Sequence, residues 1–329
     1  MANKERPKIG LALAGASSRS VFYVGFLEVL QEHDFQVDYI SALSGGAVIA
    51  ASYACGMLPE MKKFTLGMNK ELVFSLIEKS KGKGGLYHLE KVEEIIRYYT
   101  RNLRFEDVKP RLGIVTTDLT VGEPVVLEIG DIARAVCASC ALPFIFEPMA
   151  WGNKLLIDGG IMSVVPGPAA RQAGMDIVIG LNLQAKPHVF SSWQVAIGKL
   201  VRIIKKALFF DQATQLWQNV AGSLDFFKSY SPLVDRATLN RPGVFSVLGR
   251  SVDLAIKAQK KDNPKTSKYG CDMIIKPDIH IPFWKHQLLF HFVDFSNVEN
   301  LYQLGRRTAE EYLPKMQALI DNYNEPGRN

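Results

Sequence analysis

Apolar runs alternate with segments of helical periodicity along much of the chain. The runs are short enough for strands, and they fall at residues 8–15, 37–42, 112–119, 124–129, 155–160 and 176–183. Between the first two runs, the spacing of apolar residues predicts a helix over 21–31. Helices are also predicted between the second run and Tyr99, and near 298–323. Strands that alternate with helices predict an α/β fold with a mainly parallel sheet.

Three glycine-containing turns follow predicted strands. They lie at residues 15–20, 42–46 and 158–160. In open α/β sheets, ligands bind beyond the carboxyl ends of the strands. We therefore expect the three turns to meet at one edge of the sheet and to form a site there.

The turn at 42–46 is one residue away from the G-x-S-x-G pattern of a nucleophile elbow. That motif needs small residues two positions before and two positions after the serine, because strand and helix nearly touch there. Gly46 meets this need, and Ala42 meets it with one extra methyl group. Ser44 is therefore either an exposed nucleophile or a small residue in a sharp strand-to-helix turn.

The other two turns carry residue types that would assist a nucleophilic serine. The turn at 15–20 opens a helix, where unpaired backbone N–H groups can hold a developing oxyanion, and Arg19 adds a positive charge. Asp158 stands at a strand end, where its carboxylate would take the serine proton directly as a general base. An aspartate before glycines is also a common turn former, so this role depends on the three turns meeting.

Taken in order, the three turns resemble those of the patatin-like phospholipase family, and the resemblance runs from residue 8 to about 183. The family's elbow falls on 42–46, its D-G-G motif on 158–160, and its A-x-x-A-S-x-A-x-P segment on 135–143. Its G-G-G-x-R-G loop falls on Gly15, Ala16, Ser17, Ser18, Arg19 and Ser20. The resemblance implies a three-layer α/β/α fold around a mainly parallel central sheet.

The resemblance also implies an activity, the hydrolysis of carboxylic esters in phospholipids or other lipids, of the phospholipase A or lysophospholipase type. Ser44 would be the nucleophile and Asp158 its partner, with no metal and no organic cofactor. Residues 15–19 would form the oxyanion hole. The supporting small residues are Ala42, Gly45, Gly46, Gly159 and Gly160.

Two alternatives to this dyad stay open. Ala16, Ser17 and Ser20 replace family glycines, so the protein could instead be a catalytically degenerate relative that binds lipids or membranes. An α/β-hydrolase triad would need Ser44, Asp158 and a later histidine in that chain order. The histidines that satisfy this order are His280, His286 and His291.

We predict one domain over 1–329, with a core at 8–185, a C-terminal return at about 271–325 and a basic insertion at 186–270. Residues 185–290 hold 16 of the 39 Lys and Arg residues but only 7 of the 33 Asp and Glu residues, so basic charge is concentrated there. Zinc-finger spacing, a helix-turn-helix signal and an RNP-like strand are all missing from the sequence, and we expect no nucleic-acid partner.

Within the insertion, residues 193–210 have helical period, with one apolar and one basic face. A basic amphipathic helix with an aromatic residue at its edge suits an anionic membrane surface, and packing on its own domain is the alternative. The sequence leaves the oligomeric state open. The residues assigned to membrane contact are Trp193, Lys199, Arg202, Lys205 and Lys206.

Composition and the N-terminus bear on where the protein works. Its 329 residues are 47% hydrophobic and 22% charged, which is typical of a folded globular protein. Four cysteines are too few and too scattered for a disulfide framework, and the Cys137 and Cys140 pair has no second pair beside it. Buried thiols in a reducing compartment are therefore expected.

The first apolar run imitates a signal peptide, but it continues into the first turn motif, so we interpret it as a strand of a protein that is not exported. The sequence has no window of 18 uninterrupted apolar residues, the length needed to span a membrane. These features predict a cytoplasmic protein that associates peripherally with the inner face of a membrane.

Overall fold

The computed structural model of the chain describes residues 6–76, 78–80, 84–183, 269–279 and 297–323, with the short stretches 243, 247–251, 254–255 and 295. The strands are β1 Ile9–Leu13, β2 Tyr39–Ala42, β3 Glu78–Lys79, β4 Gly85–His88, β5 Arg111–Asp118, β6 Glu123–Leu127, β7 Phe144–Phe146, β8 Met149–Trp151, β9 Lys154–Asp158, β10 Ile177–Leu181 and β11 Met273–Ile275. The helices are α1 Val21–Glu32, α2 Gly45–Ala54, α3 Leu58–Leu66, α4 Lys70–Leu76, α5 Glu90–Tyr99, α6 Ile132–Cys140, α7 Gly167–Gln172 and α8 Val298–Tyr323. Short 3₁₀ turns lie at Ser17–Ser20, Phe105–Asp107 and Gly159–Ile161.

Eight of these strands form one sheet. Its order is β11-β10-β1-β2-β5-β9-β8, and β6 pairs with β5 outside this path. The strands from β11 to β5 are parallel neighbours, whereas β6, β8 and β9 run antiparallel to their partners. The α/β fold with a mainly parallel sheet is confirmed, and the six predicted strands are β1, β2, β5, β6, β9 and β10.

Helices cover both faces of the sheet, and β1 shows why. The bulky Leu11 and Leu13 point to one face, where they join the core that contains α1. Gly10 and Ala12 point to the other face, and a Cβ on Gly10 would lie 2.8 Å from the side chain of Met175, which follows α7. Because side chains alternate between the faces of a strand, this pattern of large and small residues sets a different helix distance on each face. The result is the predicted three-layer arrangement.

The C-terminal helix α8 packs closely across α1. The crossing has a glycine on each helix. A Cβ on Gly25 would lie 2.2 Å from the Tyr302 carbonyl oxygen, and a Cβ on Gly305 would lie 2.0 Å from the Phe22 carbonyl oxygen. The end of the chain thus completes the core around the first helix, and β11 extends the sheet beside β10.

The prediction of helical segments throughout the stretch between the elbow and Tyr99 is wrong in two places. β3 and β4 form an antiparallel pair there, and β4 also pairs with β7 in a separate three-stranded sheet. Strand β3 has two residues, too few to show a period, and β4 lacks the apolar run that marks β2. The same shortness explains why the pattern does not predict β7, β8 and β11, which have three residues each.

The predicted membrane helix at 193–210 lies outside the described residues, and so do its contact residues Trp193, Lys199, Arg202, Lys205 and Lys206. The division into core, insertion and C-terminal return stays a prediction as well. Within the described parts of the chain, every helix is too short or too polar to cross a membrane.

Candidate active site

The first turn follows β1. Its backbone angles show which of the three residues that replace family glycines is strained. Ala16 has a φ of −140° and Ser20 a φ of −59°, values that ordinary residues adopt. Ser17 has a φ of +50°, in the left-handed region that favours glycine. Tyr23 of α1 supports the turn, because its hydroxyl donates to the Ala14 carbonyl at 2.8 Å. Of the three substituted positions, Ser17 is therefore the strained one.

The second turn is a sharp elbow between β2 and α2. Ser44 has a φ of +52° and a ψ of −130°. Such a backbone costs a non-glycine residue about 1–3 kcal/mol and persists only where the surroundings impose it. The next two residues are glycines for lack of space: a Cβ on Gly46 would lie 2.6 Å from the Ala14 carbonyl oxygen, and a Cβ on Gly45 would lie 3.0 Å from the Ser17 backbone nitrogen.

Two residues beside the elbow complete it. Ala42, at the position of the missing first glycine, ends β2, is fully buried, and pairs regularly with Leu13 and Ile114. Its extra methyl group fits the core, so the elbow forms without that glycine. Ser139 of α6 accepts a hydrogen bond from the Ser44 N–H at 2.8 Å. The sequence motif contains Ser139 but assigns it no role. Its place as the one hydroxyl in a mostly apolar helix could have indicated that it bonds to a buried group.

The third turn brings in a buried carboxylate. Asp158 ends β9 and is 4% exposed. Its carboxylate accepts the Gly160 N–H at 2.7 Å, and the Ser44 hydroxyl is near enough to act on the pKa of Asp158. Burial raises the pKa of Asp158 to about 6, although the Gly160 N–H and the Ser44 hydroxyl act to lower that pKa. A carboxylate with this pKa is ionised at neutral pH and is a better proton acceptor than an exposed aspartate.

The backbone around Asp158 is held by β5 and by the end of α6. The Asp158 N–H donates to the Ala141 carbonyl at 3.0 Å, and the Thr117 hydroxyl donates to the Asp158 carbonyl at 3.1 Å. Gly159 must be a glycine, because a Cβ there would lie 2.2 Å from the Val115 carbonyl oxygen. These contacts leave the carboxylate little freedom to move away from the elbow.

The strand that precedes the third turn runs in the direction opposite to the one expected. β9 is antiparallel to β5 and pairs Asp158 with Thr116. β5 reaches beyond β2, since Ala42 pairs with Ile114, two residues before Thr116. Asp158 therefore lies at the level just past the end of β2, where Ser44 stands. The argument from the carboxyl ends of parallel strands holds for the first two turns and is wrong for the third.

The first turn and the beginning of α2 both lie close to the Ser44 side chain. A Cβ on Gly15 would lie 3.9 Å from the Ser44 Oγ, so the first turn passes directly by that hydroxyl. Among the described residues, the N–H groups of Ala16, Ser17 and Gly45 make no backbone hydrogen bond. N–H groups at the beginning of helices have no partner within the helix. They are therefore available to a negatively charged oxygen bound next to Ser44.

Arg19 belongs to the same turn and is largely buried. Its Nε donates to the Ala16 carbonyl at 3.3 Å and so links the two ends of the turn. Burial lowers the pKa of Arg19, while Tyr23 acts to raise that pKa. The Nη1 atom is buried and has no hydrogen-bond partner within the part of the chain that the structure describes. Arg19 thus fixes the shape of the turn and carries a positive charge within it.

The described residues add neither a histidine to Asp158 nor a metal site. Burial, Gly160 and Ser44 account for the pKa of Asp158, and His88 pairs with Glu147 at 3.0 Å in the small sheet. Across the described ranges, the His, Cys, Asp and Glu residues form no group of three that could hold a metal ion. The histidines of the triad alternative lie outside the described residues and are His280, His286 and His291.

The cysteines of the C-x-x-C spacing are free thiols on α6. Burial raises the pKa of both Cys137 and Cys140, and the nearby Asp158 carboxylate further raises the pKa of Cys140. Thiols with raised pKa values are poor nucleophiles and poor metal ligands at neutral pH. They act as small apolar side chains in the layer of the core beneath the site.

The three turns fall inside a segment that matches a known family. Residues 11–171 match the family model described as "Patatin-like phospholipase". This segment is similar to the patatin-like phospholipases. The similarity supports a lipid ester hydrolase in general terms, and the turns at 15–20, 42–46 and 158–160 all lie inside the matched segment.

Relatives of this patatin-like chain include three curated proteins. An uncharacterized NTE family protein of Mycobacterium tuberculosis is 24% identical over 309 residues, covering 82% of this chain and 83% of that protein. The uncharacterized protein YqhO of Bacillus subtilis is 28% identical over 195 residues, covering 46% of this chain and 63% of that protein. Lysophospholipase NTE1 of Scheffersomyces stipitis is 24% identical over 193 residues, covering 53% of this chain and 12% of that protein.

Two solved structures align with this chain. The crystal structure of VipD from Legionella pneumophila aligns with this patatin-like chain at a TM-score of 0.48 and 15% identity, covering 93% of this chain and 67% of that one. A structure of the ExoU–SpcU complex from Pseudomonas aeruginosa aligns at a TM-score of 0.34 and 19% identity, covering 55% and 44%.

Proposed function

We propose that the chain hydrolyses carboxylic esters of phospholipids or other lipids through a Ser44–Asp158 dyad. The observation that carries the proposal is a serine in a strained elbow beside a buried carboxylate whose pKa is about 6. Strained backbone of this kind is concentrated at functional sites, and a base next to a serine activates its hydroxyl. The match of residues 11–171 to the patatin-like phospholipase model and a relative named lysophospholipase support lipid esters as the substrate class.

In the proposed acylation step, the Asp158 carboxylate takes the Ser44 hydroxyl proton while Oγ attacks the ester carbonyl carbon. The carbonyl oxygen becomes an oxyanion, which the N–H groups of Ala16, Ser17 and Gly45 would stabilise. The ester C–O bond then breaks, and the leaving alkoxide takes the proton from Asp158, which leaves an acyl group on Ser44. In the second half, Asp158 takes a proton from water while the resulting hydroxide attacks the acyl carbon. The bond between that carbon and the Ser44 Oγ then breaks, and Oγ takes the proton back from Asp158, which releases the fatty acid and restores both residues.

Labelling with a fluorophosphonate probe, together with hydrolysis of a short-chain ester, tests this dyad. We expect the unmodified protein to be labelled, Ser44→Ala to be unlabelled, and Asp158→Asn to lose about 100-fold or more in rate, the size of a general-base contribution. Ser52→Ala is the matched control, because Ser52 is a buried serine of α2 whose hydroxyl donates to the Val48 carbonyl. Labelling that persists in Ser44→Ala would refute the dyad.

The same assays separate the two alternatives. Changing His280, His286 and His291 singly to glutamine should leave the rate nearly unchanged, because Asp158 accepts the serine proton without an imidazole. Loss of turnover in one folded histidine variant would establish a triad instead. A folded protein that binds lipid vesicles but is neither labelled nor active would be a degenerate lipid-binding relative.

We also propose that residues 193–210 dock the protein on anionic membranes, a proposal that rests on their sequence pattern. Each basic residue near an anionic surface contributes about 1 kcal/mol. Reversing Lys199, Arg202, Lys205 and Lys206 to glutamate should therefore weaken binding to vesicles that contain anionic lipid and spare hydrolysis of a water-soluble ester. Vesicle binding that is unchanged in the folded reversal variant, or insensitive to salt in the original protein, would contradict the proposal.

A further inference from the structure

Ser139 connects the elbow to the neighbouring strand of the sheet. It lies on α6 and is completely buried. Its Oγ accepts the Ser44 N–H at 2.8 Å and donates to the Val115 carbonyl of β5 at 2.7 Å. The hydroxyl therefore donates one hydrogen bond and accepts another. Without it, the Ser44 N–H and the Val115 carbonyl would each lose this hydrogen bond.

The Ser139 bond acts on the torsion that makes the elbow unusual. The angle φ of Ser44 is the rotation about its N–Cα bond, so a hydrogen bond that orients the Ser44 N–H restrains φ directly. On the helix side, the Ala47 N–H donates to the Ser44 carbonyl at 2.9 Å. On the strand side, the Leu43 N–H reaches the Leu13 carbonyl at 3.3 Å. The bond to Ser139 is shorter than this strand-side bond and lies at the strained residue itself.

The same two elements hold the partner carboxylate. The Val115 carbonyl that accepts from Ser139 also lies against Gly159, where a Cβ would be 2.2 Å away. Just beyond α6, the Ala141 carbonyl accepts the Asp158 N–H at 3.0 Å. The same two elements, β5 and α6, therefore contact both the elbow and the residues that hold the carboxylate.

We propose that Ser139 is a positioning residue for the nucleophile: it holds Ser44 in its strained conformation, so that the Ser44 hydroxyl stays aligned with Asp158. The inference rests on the proposed dyad. Ser139 is completely buried and acts through the backbone of Ser44. Its loss should therefore reduce kcat and leave KM nearly unchanged, the pattern of a defect in the reacting geometry.

The test compares Ser139→Ala with Ser52→Ala. Both changes remove a completely or nearly completely buried helix hydroxyl, but the Ser52 hydroxyl donates to the Val48 carbonyl within α2, whereas the Ser139 hydroxyl accepts the Ser44 N–H of the elbow. We expect kcat on a water-soluble ester, and the fluorophosphonate labelling rate, to fall about 10- to 100-fold in Ser139→Ala. In Ser52→Ala both should stay within about twofold. Ser139→Thr retains the hydroxyl and should recover most of the lost rate.

A second measurement does not depend on catalysis. The Ser44 amide of the full chain should exchange with deuterium about tenfold or more faster in Ser139→Ala than in Ser52→Ala, because its hydrogen-bond acceptor is gone. Should Ser139→Ala fail to fold, Ser139→Cys takes its place with the same expectations, since a thiol of similar size is a weak acceptor.

The outcomes separate this inference from the proposed function. A folded Ser139→Ala protein with unchanged kcat, or with unchanged Ser44 amide exchange, overturns the positioning role while the dyad stands. An original protein that is not labelled at Ser44 overturns the proposed function. The exchange measurement then still decides whether Ser139 holds the elbow.

Discussion

Replacing Asp158 by asparagine should reduce turnover about 100-fold or more and yet stabilise the folded protein. Burial raises the pKa of Asp158 from 3.8 to about 6. Above pH 6 the folded chain therefore holds a carboxylate whose charged form is disfavoured relative to the unfolded chain. A shift of about two units corresponds to about 3 kcal/mol. Because the folded-state pKa is the higher one, this penalty is absent below about pH 4 and complete above about pH 6.

Asparagine at this position preserves the polar contacts. Its Oδ1 can accept the Gly160 N–H, which now reaches Asp158 at 2.7 Å. Its Nδ2 would face the Ser44 hydroxyl and donate to it, so the change leaves these polar groups paired. We expect a free energy of unfolding about 3 kcal/mol higher at pH 8, which for a chain of 329 residues raises Tm by about 4 °C.

Urea unfolding followed by circular dichroism, from about pH 4 to pH 8, measures this difference. Asp118→Asn is the matched control, since Asp118 is also buried but lies 3.6 Å from the Lys154 ammonium and accepts the Thr120 N–H at 2.9 Å. Removing one partner of such a pair should not stabilise the protein. An Asp158→Asn protein that is destabilised at pH 8, or stabilised equally at all pH values, would refute the reasoning.

Other variants test the loop, the base and the helix crossing. Ser17→Gly should raise the free energy of unfolding by about 1 kcal/mol and keep or increase activity, because it relieves a φ of +50°. Ala16→Gly should lower the free energy of unfolding by about 0.5–1 kcal/mol, because Ala16 has an ordinary φ of −140°. Thermal melts that reverse this order would contradict the account. The kcat/KM for a water-soluble ester should rise with pH through about 6 as Asp158 ionises, so a flat profile between pH 5 and 8 would exclude it as the base. Gly25→Ala puts a Cβ 2.2 Å from a carbonyl oxygen of α8 and should cost about 1–3 kcal/mol of stability, whereas Gly67→Ala, with a nearest contact of 3.4 Å, should change stability by less than about 0.5 kcal/mol in the same melts.

The sequence predicts the strands and turns of this fold more readily than their directions. Residues 155–160 have the apolar pattern of a buried strand, and β9 is present there. Its antiparallel direction follows from the chain between α6 and β9, which folds into two strands of three residues each. Segments that short carry no period, so the route of the chain back to β5 cannot be read from the residues. Asp158 does lie near Ser44, but the expected reason, the carboxyl ends of parallel strands, does not apply to it, because the antiparallel β9 ends level with the elbow.

The consequences of the lost glycines also need the structure. Ala16, Ser17 and Ser20 look equivalent in the sequence, since each puts a small side chain where a glycine is expected. Their backbone angles separate them, because Ser17 alone of the three has a positive φ. A residue's φ in a turn depends on the tertiary contacts around it, and no pattern of residue types encodes those contacts locally.

Strain in this site is concentrated at two residues, and their positions explain why the elbow tolerates the other substitutions. A nucleophile needs its Oγ, so Ser44 cannot become a glycine and its φ of +52° must be imposed by contacts. Those contacts are the hydrogen bond to Ser139 and the close packing of Gly45 against Ser17, the second strained residue. Ala42 contributes to neither contact, which is why an extra methyl group there is harmless. The strained pair adjoins the N–H groups proposed for the oxyanion, because Ser17 carries one of them and Ser44 directly precedes Gly45. The contacts that hold the strained backbone therefore also set the donor geometry on which the proposed chemistry depends.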